Sequence, residues 1–178
     1  MSKRTKRVFI LGSGAALGAH HVGALKYLEE QDIVPDAIIG SSIGVINACA
    51  YASGGVARLE EAWHGFSSLP RIFSPSLRHN PVVGLSLFSM ERLASAIEQY
   101  MDFEKMLASP LELEFVLLNV SRGRAEMHAK RDCADCFAII GFRSDQNSAP
   151  YSQWFKSGIC FLNPLSFRVD EGVVFVVL

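Results

Sequence analysis

Cysteine is scarce, four in 178 residues, which is too thin a supply for a disulfide scaffold and suits a reducing compartment. Charge of one sign is lacking as well. Seventeen Lys plus Arg stand against 18 Asp plus Glu, and the net charge of −1 removes the general basic field that a nucleic-acid binder uses. No uninterrupted apolar run approaches the ~18 residues that a membrane-spanning helix needs. Lys3, Arg4, Lys6 and Arg7 precede only the short run Val8-Phe9-Ile10-Leu11. A secretory signal needs an apolar stretch of ~7–15 residues, so the expected location is the cytoplasm, with any membrane contact peripheral. What is present is a globular composition, 49% hydrophobic and 20% charged. A chain of this length can bury roughly 70% of its unfolded surface without staples. One domain over residues 8–178, after a basic tail at 1–7, is the expected organisation.

Val8 to Leu11, a continuous apolar run ended by glycine, reads as a buried parallel strand. Gly18 to Glu30 reads as a helix, with Val22, Leu25 and Leu28 on one side. Asp36 to Gly40 reads as a second strand. Ile43 to Tyr51 is small and apolar nearly all round, hence a buried helix, and Ser53-Gly54-Gly55 is expected to stop it. Strand, helix, strand, helix in this order makes a parallel βαβ unit and an α/β fold. Val56 to Phe66 suits a third helix. Residues 65–90, rich in proline and serine, read as a long loop, either a lid or a surface excursion. Ser89 is placed to cap a helix from Met90 to Leu107, and Leu113 to Val120 reads as a third strand. Beyond Arg131 the pattern carries no clear period.

Two glycine-bounded motifs carry chemistry. Gly40-Ser41-Ser42-Ile43-Gly44 is a G-x-S-x-G between a predicted strand and a predicted buried helix, the context of a nucleophile elbow. A serine there sits on a sharp turn with a helix N-terminus behind it, which favours developing negative charge. The second motif, Gly12-Ser13-Gly14-Ala15-Ala16-Leu17-Gly18-Ala19, joins the first strand to its helix with hardly any side chains, leaving backbone N–H groups for an anion. It suits an oxyanion hole beside the elbow or a dinucleotide loop, because both loops leave the C-terminal ends of neighbouring parallel strands. A dinucleotide site wants an acidic residue ending the second strand, and Gly40, Ser41 and Ser42 stand there instead. A serine tolerates a 2′-phosphate, so an NADP-binding protein stays as the weaker alternative, further weakened because no Tyr-x-x-x-Lys follows the loop. A Ser-Asp-His order finds only His64, His79 and His128 after Ser42, none in a recognisable motif, and His20 and His21 read as solvent contact or packing. A carboxylate base is therefore to be considered.

The run Gly18-Ala19-His20-His21-Val22-Gly23-Ala24-Leu25 after a glycine-rich loop, followed by Ile38-Ile39-Gly40-Ser41-Ser42-Ile43-Gly44, resembles the patatin-like phospholipases. The similarity is close over residues 8–55 and diffuse beyond them. It implies a three-layer α/β sandwich with a mainly parallel central sheet. It also implies a serine acyl hydrolase of lipid esters working through a Ser-Asp dyad, with no catalytic histidine and no metal or organic cofactor. By position, Ser42 would be the nucleophile and the backbone at Ser13, Gly14 and Ala15 the oxyanion hole. Gly18 would be the close-packing glycine opening the helix, with Gly12, Gly40 and Gly44 the other motif glycines. The family's arginine before the helix-opening glycine is Leu17 here. Its dyad aspartate stands in an Asp-Gly-Gly or Asp-Gly-Ala turn, and Asp170-Glu171-Gly172 is the nearest match, making Asp170 the expected proton acceptor. Asp132, Asp135 and Asp145 are the other downstream aspartates considered for that role. Such domains continue with a further strand and helix, so an incomplete C-terminal part is expected. A catalytically impaired lipid-binding relative is the second reading. Cys133-Ala134-Asp135-Cys136 lacks the second pair that a zinc site needs. Arg122, Arg124, Lys130 and Arg131 read as a solvated basic face or a contact for an anionic lipid surface.

Overall fold

A computed structural model of the protein describes residues 5–66, 97, 99–119, 124–132 and 173–178. Strand β1 (Lys6–Leu11) leads through a 3-10 turn (Ala15–Ala19) into helix α1 (His20–Glu30), and β2 (Ala37–Ser41) into α2 (Ile43–Phe66). Helix α3 (Phe103–Ala108), β3 (Glu112–Asn119), β4 (Arg124–Ala129), a second 3-10 turn (Lys130–Asp132) and β5 (Val173–Val177) complete the described elements. The sheet order is β4-β3-β2-β1-β5, parallel throughout except for the β3–β4 pair. The fold is α/β with a mainly parallel sheet and flanking helices, as the βαβ reading expected.

The sheet forms where the apolar runs are. Phe9 and Leu11 of β1, Ile38 of β2, and Leu113 and Phe115 of β3 point to one face, where Val45, Ala48 and Cys49 of α2 cover them. Val8, Ala37 and Ile39 form a second buried cluster on the opposite face. Continuous apolar runs suit strands buried on both sides. Lys6 and Arg7, read from sequence as tail, belong to β1. The Asp36 carboxylate accepts from the Arg7 amide at 2.8 Å, and the Asp36 amide donates to the Arg7 carbonyl at 2.9 Å, fixing the register at the strands' entry.

Gly54 and Gly55 break the helical backbone of α2 where Ser53-Gly54-Gly55 was expected to stop it: Gly55 has a φ of 69°, a conformation that glycine takes without a Cβ penalty, and a second helical arm over residues 56–66 follows, the expected third helix. Two expectations change in detail. The helix expected from Met90 to Leu107 is interrupted at Asp102, whose extended backbone and side chain cap α3 by accepting from the Lys105 amide at 3.0 Å. Ser89 and residues 90–96 lie outside the described residues, as does most of the loop at 65–90. Lys130 is no solvated cation either. Its ammonium donates to the carbonyls of Met106, Ser109 and Leu111 at 3.2, 2.6 and 2.9 Å, gathering carbonyls from the last turn of α3 and the segment that leaves it. Arg124 and Arg131 are exposed, as expected.

Candidate active site

The parallel register aligns Leu11 with Gly40, so the loops leaving β1 and β2 emerge side by side at the C-terminal edge of the sheet. Ser42 is the single residue between the end of β2 and the start of α2, and its φ is 53°. A non-glycine residue in that left-handed region costs roughly 1–3 kcal/mol and persists only where the surroundings impose it. Here the glycines impose it. A Cβ on Gly40 would lie 2.7 Å from the Gly44 carbonyl oxygen, and one on Gly44 would meet the backbone carbonyls of Leu11 and Gly12. The turn is thus pressed against itself and against the end of β1, leaving Ser42 half-buried at the head of α2.

The neighbouring loop is ordered from both ends. The Gly12 amide donates to the Leu178 carbonyl at 3.2 Å, and the Leu17 amide to the Gly14 carbonyl at 2.9 Å. The first amide is thereby spent on the sheet. Ser13 and Gly14 follow it, half-buried, and their amides meet no acceptor among the described residues. At the far end Gly18 is buried, and a Cβ there would come within 2.7 Å of Ile43 Cγ2. The structure therefore brings Gly12, Ser13, Gly14, Gly18, Gly40, Ser42 and Gly44 to one edge. Leu17 is 76% exposed beside them, so the position where the family has arginine offers solvent an apolar side chain. Asp170 lies outside the described residues, as do Asp135, Asp145, His79 and the Cys133/Cys136 pair.

A polar cluster behind the loop was not read from the sequence. His21 is 1% exposed and Asn47 is wholly buried. Asn47 Nδ2 donates to the Gly18 carbonyl at 2.9 Å and faces His21 Nδ1 at 2.8 Å, while Trp63 Nε1 donates to Asn47 Oδ1 at 2.9 Å. The signal available was Asn47 itself, a lone polar side chain in an otherwise small, apolar helix, which has to find partners when buried. His20 is exposed, as expected, with Nδ1 at 2.5 Å from the Leu17 carbonyl.

Burial first, and then the neighbouring His20, lower the His21 pKa to about 4 against an opposing effect of the nearby Leu178 backbone, although Nε2 makes no well-aligned hydrogen bond among the described residues. In the unfolded chain the ring should titrate near ~6.5. Between those values the unfolded state binds the extra proton, so stability is complete above ~6.5 and falls as pH drops toward about 4. The gap corresponds to at most roughly 3 kcal/mol. Urea midpoints measured from pH 7 to 4.5 should fall accordingly, and a His21→Gln variant should show a shallower slope. Equal slopes in the two proteins would remove His21 as the cause.

A family model described as patatin-like phospholipase matches residues 9–156. Triacylglycerol lipase ptl3 of Schizosaccharomyces pombe is 51% identical over 43 residues, and the matched stretch is 24% of this chain and 9% of the lipase. The chain thus spans less than a tenth of that relative's length. The crystal structure of VipD from Legionella pneumophila aligns with a TM-score of 0.47 at 9% identity, over 74% of this chain and 40% of that one.

Proposed function

This chain belongs to the patatin-like phospholipase family, and from that premise we propose that it is a serine acyl hydrolase acting on lipid esters. The observation that carries the reading is Ser42, held at a φ of 53° between β2 and α2 beside a loop of backbone amides. Strain of this kind is kept where a side chain has to be presented rather than packed. The lipase name of the partly matching relative supports an ester substrate.

In the proposed reaction Asp170 takes the proton of the Ser42 hydroxyl as its oxygen attacks the ester carbonyl. Negative charge passes to the carbonyl oxygen, where the amides of Ser13, Gly14 and Ala15 and the N-terminus of α2 would stabilise it. Collapse expels the alcohol, which leaves with the proton returned from Asp170. Water then attacks the acyl-serine, Asp170 again accepting the proton, and the fatty acid departs as Ser42 is restored. A two-residue machine of this kind needs no imidazole.

The test is hydrolysis of a short-chain aryl ester and of a phospholipid by the parent, Ser42→Ala and Asp170→Asn. Removing either member of a nucleophile–base pair should lower kcat by about a thousandfold or more. Parent-like turnover in Ser42→Ala would end the proposal. An Asp145→Asn loss alongside parent-like Asp170→Asn would move the base to Asp145. Lipid binding by a parent that hydrolyses neither substrate would favour the impaired, lipid-binding reading.

A further inference from the structure

The loop of residues 12–18 supplies amides to the proposed site only if it holds one position relative to Ser42. Its entry is fixed by β1, but at its far end the packing of Gly18 on Ile43 is non-directional. The Gly18 carbonyl accepts locally from the His20 amide, and the directional contact it receives from another element is Asn47 Nδ2, at 2.9 Å.

Donor and acceptor roles in this cluster are fully determined. Trp63 Nε1 can only donate, so Oδ1 of Asn47 faces it. A backbone carbonyl can only accept, so Nδ2 faces Gly18. The second Nδ2 hydrogen is then left for His21 Nδ1, which has to be the unprotonated ring nitrogen. The Asn47 amide is oriented by the second arm of α2 through Trp63, and it grips the loop and α1 at once. It belongs to the helix that begins at the residue after Ser42, so it references the loop to the nucleophile's own scaffold.

We propose that Asn47 is a positioning residue for the reaction: by holding the Gly18 carbonyl, it keeps the amides of residues 13–15 aimed at the oxyanion formed at Ser42. The proposal rests on the reading of Ser42 as nucleophile. A displacement of ~1 Å in such a constellation costs on the order of a hundredfold in rate, whereas substrate binding depends on it much less.

Four variants separate positioning from mere stability: Asn47→Asp, Asn47→Leu, Trp63→Phe and His21→Leu. Asn47→Asp keeps the acceptor for Trp63 and removes the donors. Trp63→Phe keeps an aromatic ring and releases the amide. His21→Leu takes a partner from the same buried cluster yet leaves the Gly18 bond intact. Each is assayed with an aryl ester, kcat being expressed per Ser42 titrated by a fluorophosphonate, and its thermal midpoint is measured separately. Both Asn47 variants should lose about 10–100-fold in kcat with KM within about threefold, and Trp63→Phe several-fold. His21→Leu should lose stability with kcat per site within about threefold of the parent. Should Asn47→Leu fail to fold, Asn47→Asp and Trp63→Phe still decide. Ser42 labelling in the parent with parent-like kcat per site in Asn47→Asp and Trp63→Phe would overturn the positioning role alone. No labelling of Ser42 in the parent would overturn the nucleophile reading and this proposal with it.

Discussion

A Ser42→Gly variant is expected to resist urea better than Ser42→Ala while hydrolysing no ester. Ser42 stands at a φ of 53°, a region in which glycine meets no Cβ clash and alanine meets the full one. Relief of the left-handed conformation is worth roughly 1–2 kcal/mol. The extra unfolded-state freedom of glycine returns roughly 0.5–1 kcal/mol of that. The net is a gain of about 1 kcal/mol for glycine over alanine, opposite to their usual order near a helix. Activity should fall by about three orders of magnitude or more in both, since both lack the nucleophile. Equilibrium urea unfolding beside an ester assay checks the pair. Greater stability of the alanine variant would mean that the turn is not strained as described.

Gly44→Ala should be the most damaging single-methyl change at the site. By helix propensity alone, alanine in place of glycine gains about 1 kcal/mol. At residue 44 the new Cβ would run into the backbone carbonyls of Leu11 and Gly12, atoms that cannot rotate away, and relieving them means lifting the first turn of α2 off β1. Overpacking against fixed groups costs about 1–3 kcal/mol and sometimes more, and here the movement carries Ser42 with it. A net loss of about 2 kcal/mol and at least a tenfold fall in kcat are expected. Gly23 is the control. It lies exposed in α1, and a Cβ placed there would meet nothing within 4 Å, so Gly23→Ala should gain up to ~1 kcal/mol and leave turnover alone. Parallel shifts in the two variants' denaturation midpoints would show that propensity, not contact with β1, decides at residue 44.

The contrast between these two glycines marks what can be read from a chain and what cannot. The βαβ unit was legible because its strands are unbroken apolar runs and its turns are glycines, so period and punctuation agreed. Ser42 was legible because five residues of motif fell between a strand and a buried helix. That Gly44 opposes Leu11 and Gly12 is a contact between elements, and no local pattern encodes it. β4 escaped notice for another reason. Arg-Ala-Glu-Met-His-Ala looks like a solvated charge cluster, and charged side chains suit a strand that stands last in the order of the described sheet. Lys130 belonged to the same apparent cluster, and only the fold brings the α3 carbonyls to it. Asn47 and Gly18 are likewise joined across 29 positions of chain. β5 lies beyond Arg131, where no clear period marks the elements, and its placement beside β1 is long-range in the same sense. Asp170, named through the family resemblance, lies outside the described residues, and its role stands on the mutational test.

An activated nucleophile at Ser42 is tested most directly by a covalent measurement. The parent protein is treated with a fluorophosphonate, digested, and its peptides are analysed by mass spectrometry. A single phosphonylated site at Ser42, formed in step with the loss of ester hydrolysis and absent when the protein is first unfolded, is the predicted result. An adduct on another serine, or none on a folded protein that still hydrolyses esters, would contradict it.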